Sequence, residues 1–237
     1  MRFSQELQPG RLIRRYKRFL ADIMLAGDSV ITVHCPNSGS MLGCSAPGSP
    51  VMLSRSGNRK RKYPQTLEMV QSGSTWVGVN TSLTNHLVHE ALQDGIIQEF
   101  GVPDAIRPEV KTSDRTRLDF LLESREKRIF LEVKNCSLAE NGVAMFPDAV
   151  TARGTKHLTE LAALKKAGNL AAVLFCVQRG DADCFAFAAH IDPLYAETLA
   201  KVAAAGVMVL VYQADVSPAE IKIVRRLPLK MVSERIL

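Results

Sequence analysis

An all-β unit followed by a mixed α/β unit is the fold class that this 237-residue sequence predicts. Two observations predict it. Up to residue 82 the chain consists of short strand-like runs separated by turn residues, and beyond it segments of helical period interleave with strand-sized apolar runs. The charge changes at the same place: residues 1–82 hold 11 Lys and Arg against 4 Asp and Glu, a net +7, whereas residues 83–237 hold 19 against 20. A composition of 46% hydrophobic and 23% charged residues is that of a globular chain with real cores, so units of 1–82 and 83–237 are expected.

In the first unit the strand-like runs are Arg14 to Leu25, Ser29 to Cys35, Pro50 to Ser54, Leu67 to Gln71 and Thr75 to Val79. Gly27-Asp28, Pro36-Asn37-Ser38-Gly39, Pro47-Gly48 and Ser72-Gly73 separate them. Five short strands in such a length suggest a small barrel of the OB type, a frequent oligonucleotide binder; an SH3-like barrel fits the same count. The basic excess concentrates in Arg11, Arg14, Arg15, Lys17 and Arg18 and in Arg59-Lys60-Arg61-Lys62. Such a surface attracts polyanions through phosphate contacts and counterion release, which gives affinity without sequence preference. A solvated loop that aids solubility is the plainer reading, and confinement of the excess to one unit favours nucleic acid.

The second unit opens with a helix over Ser82–Gly95, capped by Thr81 or Ser82, with Leu83, Leu87, Val88, Ala91 and Leu92 on its apolar side and Gly95 as terminator. Two alternating segments follow, 117–123 and 128–134, joined by the polar turn 124–127. A loop through Gly142 and Pro147 comes next, then a helix from Thr155 to Ala167 and a buried strand from Leu170 to Val177. A strand at Cys184–Ala188, a helix at Pro193–Ala205, strands at Val207–Tyr212 and Ile221–Arg225, and a basic tail complete the chain. Helix, three strands, helix, strand is the order of the restriction-endonuclease-like core.

The hairpin carries the chemistry. A four-residue turn pairs Leu118 with Val133, Phe120 with Leu131 and Leu122 with Ile129 on one apolar face, and sets Asp119 opposite Glu132 on the other. Directly opposed residues have Cβ atoms about 4.5–5.5 Å apart, and Lys134 shares the face of Glu132. Two opposed carboxylates repel unless a cation lies between them, so Asp119 and Glu132 are candidate ligands for a divalent metal, with Lys134 left to act on a water or a phosphate. A hairpin with one solvated, charged face is the alternative. Asp104, Glu109 and Lys111 form a similar set, but four residues between Asp and Glu are too few for two strands and a turn, so that segment is expected at an edge of the same sheet.

Glu90 stands at the margin of the first helix's apolar stripe, where it can lean toward the hairpin or remain a surface carboxylate. Arg153, Lys156 and His157 flank a helix N-terminus, a natural phosphate position, and Gln178 beside Arg179 is placed to line a cleft or to make a turn. His86 and His89 match no zinc spacing and are read as structural or surface residues. Cys136, without a partner base, is read as a core thiol. No apolar run approaches the roughly 20 residues of a membrane span. The polar start Met1–Glu6 is unlike a secretory signal, and five scattered cysteines without a CxxC point to a reducing cytoplasm.

His34-Cys35-Pro36-Asn37-Ser38-Gly39-Ser40-Met41, Arg117-Leu118-Asp119-Phe120 and Phe130 through Ser137 resemble the sugar fermentation stimulation protein A family, as do Phe146 through Gly154 and Lys156-His157-Leu158. The resemblance runs nearly end to end. It implies an N-terminal OB-fold domain, a C-terminal PD-(D/E)XK nuclease-like domain, and DNA binding with little sequence preference. By the nuclease motif Asp119 and Glu132 would hold Mg²⁺ or Mn²⁺, Lys134 would act with the attacking water, and Glu90 would be the helix acid. Leu118 stands where the motif's name has proline, which donates no ligand. Two functions are compatible with it: a metal-dependent nuclease acting on DNA or RNA, or a non-specific DNA-binding regulator of sugar and maltose metabolism that does not cut. A homodimer is compatible with either, since nucleases acting on duplexes often pair two sites.

Overall fold

The computed structural model describes residues 1–113, 116–124 and 127–230. The first unit contains β1 (Gln8–Tyr16), β2 (Leu20–Met24), β3 (Val30–His34), β4 (Pro50–Arg55), β5 (Gln65–Ser72) and β6 (Thr75–Gly78). Their order is β3-β2-β1-β4-β5-β6, and a parallel bridge from His34 to Thr66 joins β3 to β5. That bridge closes β1–β5 into a five-stranded OB barrel, which β6 extends. Leu12, Ile23, Val33, Leu53 and Leu67 fill its interior.

The run expected from Arg14 to Leu25 is two strands. Lys17 and Arg18 adopt φ of 48° and 63° and turn the chain so that Tyr16 pairs with Leu20. Residues other than glycine seldom enter this region, so nothing in the composition of the tip signals the turn. Arg15 braces it, its Nη2 donating to the carbonyl of Arg18 at 2.8 Å.

The second unit runs α1 (Thr84–Gln93), β7 (Ala105–Ser113), β8 (Thr116–Ser124), β9 (Lys127–Cys136), β10 (Leu138–Glu140), β11 (Val143–Phe146), α2 (Ala152–Lys166), β12 (Leu170–Val177), β13 (Cys184–Phe187), α3 (Pro193–Ala204), β14 (Met208–Val216) and β15 (Ile221–Arg226). A six-stranded sheet has the order β15-β14-β12-β9-β8-β7, with β9, β12 and β14 parallel. Leu87, Val88 and Leu92 of α1 pack on one face with Phe120, Leu122 and Leu131, while Leu158 and Leu161 of α2 and Leu199 of α3 pack on the other with Leu121 and Phe130. The hairpin is therefore buried on both faces, where alternation suggested one solvated face; the covering helices are remote in sequence.

The β8–β9 ladder has the expected register from Ser124–Lys127 to Phe120–Leu131. Past that point Leu118 packs with the α2 side of the sheet and Val133 with the α1 side, so the expected Leu118–Val133 pair does not form. The side chain of Asp119 takes the place of a backbone acceptor there, its Oδ2 receiving the N–H of Val133 at 2.8 Å. Turn residues Arg125 and Glu126 and the tail beyond Lys230 lie outside the described residues. β7 is the edge strand foreseen for this segment, with Glu109 and Lys111 in it and Asp104 one residue before it. The expected loop through Gly142 instead holds a hairpin of β10 and β11 turning at Asn141-Gly142, an Asn-Gly signal that alternation too short to stand out had hidden. The second helix starts at Ala152 rather than Thr155, because Thr151 caps it by accepting the N–H of Gly154.

The two units share packing. Leu7 and Met69 join the core beneath α1, and the Gly78 N–H donates to the carbonyl of Gln178 at 2.8 Å. A Cβ on Gly78 would lie 2.3 Å from Gln178 Oε1 and 3.1 Å from its Cβ, so any larger residue would force the buried Gln178 side chain to shift. Met1 to Phe3 sit with the second unit: Arg2 bridges Glu220 and the Phe3 N–H reaches the Ala219 carbonyl. Among the described residues no helix is long and apolar enough to cross a membrane.

Candidate active site

Where the β8–β9 ladder ends, the sheet opens into a cleft of about 460 Å³ between the two units. Asp119, Glu132 and Lys134 line its floor, brought together by the end of the hairpin. Glu132 is 3% exposed, yet it lies on this wall. Its Oε1 accepts from Lys134 Nζ at 2.5 Å and from His157 Nδ1 of α2. Its Oε2 is buried and has no hydrogen-bond partner.

Donor chemistry assigns the histidine tautomer. Arg153 Nε, which can only donate, lies 3.4 Å from His157 Nε2, so Nε2 carries the lone pair and Nδ1 the proton given to Glu132. Burial works to raise the Glu132 pKa, but the hydrogen bond from His157 and the charge of Lys134 outweigh it and hold the carboxyl below its ordinary value. Asp119 goes the other way. Burial and then the charge of Glu132 push its pKa up, against the opposing effects of the Val133 N–H, the Asn85 amide and Lys134. Asn85 Nδ2 of α1 donates to Asp119 Oδ1 at 2.9 Å.

The other predicted residues divide. Arg18 at the barrel tip and Arg153 at the start of α2 line the cleft, alongside Asn37, Ser38 and Gly39 of the barrel. His157 is not a surface grip: it is 6% exposed and bonded to Glu132. Lys156 is exposed one residue away and does not line the cleft. Glu90 does not face the hairpin either. Its Oε2 accepts the Met1 amine at 2.6 Å, beside β15, because its position on α1 turns it toward the far edge of the sheet. Arg15 spends its Nη2 on the carbonyls of Arg18, Asn37 and Gly39, which makes it a brace. Arg14 pairs with Asp22 at 2.8 Å, and Lys17 stands exposed at the tip.

Arg59, Lys60, Arg61 and Lys62 form an exposed loop away from the cleft wall, with Arg61 Nη2 3.3 Å from His34 Nδ1. Gln178 is fully buried between the units, its Nε2 donating to Thr84 Oγ1 at 3.1 Å and Asn135 Oδ1 at 2.5 Å. Cys136 is a buried core thiol whose pKa burial raises. Among the described residues no group of three or more His, Cys, Asp or Glu gathers as a metal cluster, so His86 and His89 form none.

Sequence reasoning missed Asn85 and gave His157 the role of a phosphate grip instead of a partner of Glu132. Each had a signal. Asn85 precedes Val88 and Leu92 by three and seven positions, and His157 falls between Gly154 and Leu161 on the buried stripe of α2. A polar side chain on an apolar stripe needs a buried partner.

The family model described as the sugar fermentation stimulation protein RE domain matches residues 82–220, and the SfsA N-terminal OB domain matches residues 13–79. The chain belongs to the sugar fermentation stimulation protein family. It is 53% identical over 229 residues to the sugar fermentation stimulation protein homolog of Desulfotalea psychrophila, covering 97% of this chain and 94% of that one. Against the homologs of Pelobacter propionicus and Geobacter metallireducens the identities are 52% and 48%, covering 92% and 96% of this chain and 95% and 99% of theirs. The solved structure of Pyrococcus furiosus SfsA in complex with Ca²⁺ shares the fold at a TM-score of 0.90 and 24% identity, with 98% of each chain covered.

Proposed function

We propose that the chain is a metal-dependent nuclease that hydrolyses phosphodiester bonds of DNA or RNA, reading Asp119, Glu132 and Lys134 as a PD-(D/E)XK site. The observation that carries this reading is the divided carboxylate of Glu132: two donors on Oε1, none on buried Oε2, at the floor of a cleft. An unpartnered buried carboxylate oxygen costs free energy unless a ligand meets it. The raised pKa of Asp119 is a second unrelieved cost of the same sign, and a cation held by both carboxylates would lower both.

These residues fit Mg²⁺ or Mn²⁺. Mg²⁺ keeps several waters and needs only one or two protein carboxylates, and two are present. The Ca²⁺ described with the Pyrococcus furiosus relative, another hard oxygen-seeking ion, supports the same class. Asp119 and Glu132 would hold the ion, which when bound supplies Lewis-acid charge to the scissile phosphate and lowers the pKa of water.

The chain's own groups do the rest. Lys134, anchored on Glu132 Oε1, keeps an ammonium at the cleft floor to orient a water and offset charge gathering on the phosphate. His157 and Asn85 fix the two carboxylates in place. Arg18 and Arg153 hold flanking phosphates at the rims, and Ala152 and Arg153 of the first turn of α2 line the same space.

The test incubates purified protein with labelled single-stranded DNA, duplex DNA and RNA, in Mg²⁺, Mn²⁺ or EDTA, beside Glu132→Ala and Lys134→Ala. Cleavage that needs metal and disappears in both variants with binding retained is the expected result. Binding without cleavage would leave a non-specific DNA-binding regulatory protein, and cleavage indifferent to both substitutions would overturn the assignment of the site.

A further inference from the structure

We propose that this cleft takes a single strand and not an intact duplex. The inference rests on the cleft being the nucleic-acid site, as read above, and concerns which nucleic acid enters it. The second unit supplies the floor and one wall, and the barrel supplies the facing wall through Arg18, Asn37, Ser38 and Gly39. Chemistry at Glu132, 3% exposed, requires a phosphodiester to descend between those walls.

The barrel wall is latched shut. Asp148, in the segment leading into α2, accepts the Met41 N–H at 2.9 Å through its carboxylate and the Ser40 hydroxyl at 2.5 Å through its carbonyl. Gly39 packs so closely that a Cβ would lie 2.6 Å from both Asp148 carboxylate oxygens. Asn37, 3% exposed, donates to the Val79 carbonyl at 3.0 Å and accepts the Gly39 N–H at 2.9 Å. Arg15 ties down the carbonyls of Asn37 and Gly39 from behind. Opening this wall to a wider ligand breaks the Met41 and Ser40 bonds to Asp148, which cross to the second unit, while the bonds of Asn37 and Arg15 keep the loop itself stiff.

Size and charge agree with a strand. A volume of about 460 Å³ falls in the lower half of the roughly 300–1,000 Å³ span of small-ligand sites, room for a nucleotide with its phosphate. A duplex phosphate stays attached to a second strand that the facing wall obstructs, whereas a free strand threads with its bases turned outward. Arginines on opposite rims, Arg18 and Arg153, suit a backbone track, and OB barrels with basic grooves recur in single-strand binders.

The test measures fluorescence anisotropy of the full-length chain in EDTA, at one fixed salt concentration. Its probes are a labelled single-stranded oligodeoxynucleotide, its blunt duplex, and the duplex carrying a single-stranded tail. Ser38→Trp, at an exposed position on the barrel wall, narrows the cleft, and Ser38→Ala controls for the lost hydroxyl. The strand and the tailed duplex should bind at least about tenfold tighter than the blunt duplex, about 1.4 kcal/mol, and Ser38→Trp but not Ser38→Ala should erase the difference. Equal affinity for the blunt duplex, or a preference that Ser38→Trp leaves intact, overturns the proposal. Adding Mn²⁺ separates the two readings. Strand preference without cleavage refutes the nuclease and keeps this inference, whereas equally fast cutting of blunt duplex and single strand does the reverse.

Discussion

Two substitutions of His157 separate its two hydrogen bonds. An asparagine amide nitrogen occupies the place of imidazole Nδ1, and a glutamine amide oxygen, an acceptor, that of Nε2. His157→Asn therefore keeps the donor to Glu132 Oε1 and loses the contact with Arg153, and His157→Gln does the opposite. Losing a hydrogen bond to a charged group costs about 1.5–3 kcal/mol. At about 2–4 °C per kcal/mol for a chain of this length, His157→Gln should melt about 3–12 °C below wild type, and His157→Asn should recover most of that loss. The assay is thermal melting by circular dichroism in EDTA at neutral pH, repeated at falling pH. The folded state holds the Glu132 pKa below its ordinary value, so its stabilising contribution is present above the unfolded-state pKa and is lost as pH falls through the folded one. The gap between wild type and His157→Gln should accordingly narrow in acid. Equal melting of the two variants, or His157→Gln above His157→Asn, would refute the role given to Nδ1.

Asp119→Asn should melt above wild type in EDTA at neutral pH. The raised pKa of Asp119 means that its contribution is lost as pH rises through the folded value; wild type melting higher would contradict this, and Mn²⁺ should raise the melting temperature of wild type and not of the variant. Glu90→Gln should leave metal-dependent cleavage unchanged, since Glu90 meets the Met1 amine and not the cleft; a folded variant without cleavage would return Glu90 to the site. Gly78→Ala drives a Cβ to 2.3 Å from Gln178 Oε1, and overpacking of about 1–3 kcal/mol should lower the melting temperature by about 2–12 °C. An unchanged melt would mean that the two units are not held together there.

The hairpin and the residues of its acidic pair were legible because strand alternation and a short turn are local properties, and the register that follows from them holds as far as Phe120–Leu131, beyond which Asp119 accepts the Val133 N–H instead of standing in a ladder pair with Glu132. Glu90 was misplaced for a geometric reason. A residue at the margin of a helical stripe can face either flank, and the choice was made by β15 and the Met1 amine, far off in sequence. The same distance hid the partner of Glu132: His157 lies 25 residues away, on the helix that covers the second face of the sheet, a cover that alternation could not foresee. Arg15 was counted with its neighbours as a phosphate contact because charge runs carry no direction. Its guanidinium points inward, to carbonyls of the loop that the Pro36-Asn37-Ser38-Gly39 turn signal located but could not orient.

Two features of the cleft floor work against the stability of the chain by itself. Glu132 Oε2 is buried and bare, and Asp119 is pushed toward protonation by burial and by its neighbour's charge. Arg15 Nε, Gln178 Oε1 and the Tyr195 hydroxyl are also buried without a partner, but none of these is a carboxylate oxygen, and other buried polar groups are satisfied: Asn37, Gln213 and Arg179 each reach backbone carbonyls. A fold able to satisfy those groups could have placed an amide beside Glu132 Oε2 or an uncharged side chain at position 119. Both unrelieved costs instead fall on carboxylates of one cleft, and a single positive charge between them would remove both. Lys134 and His157 already occupy Oε1, and the cation proposed above would supply that charge.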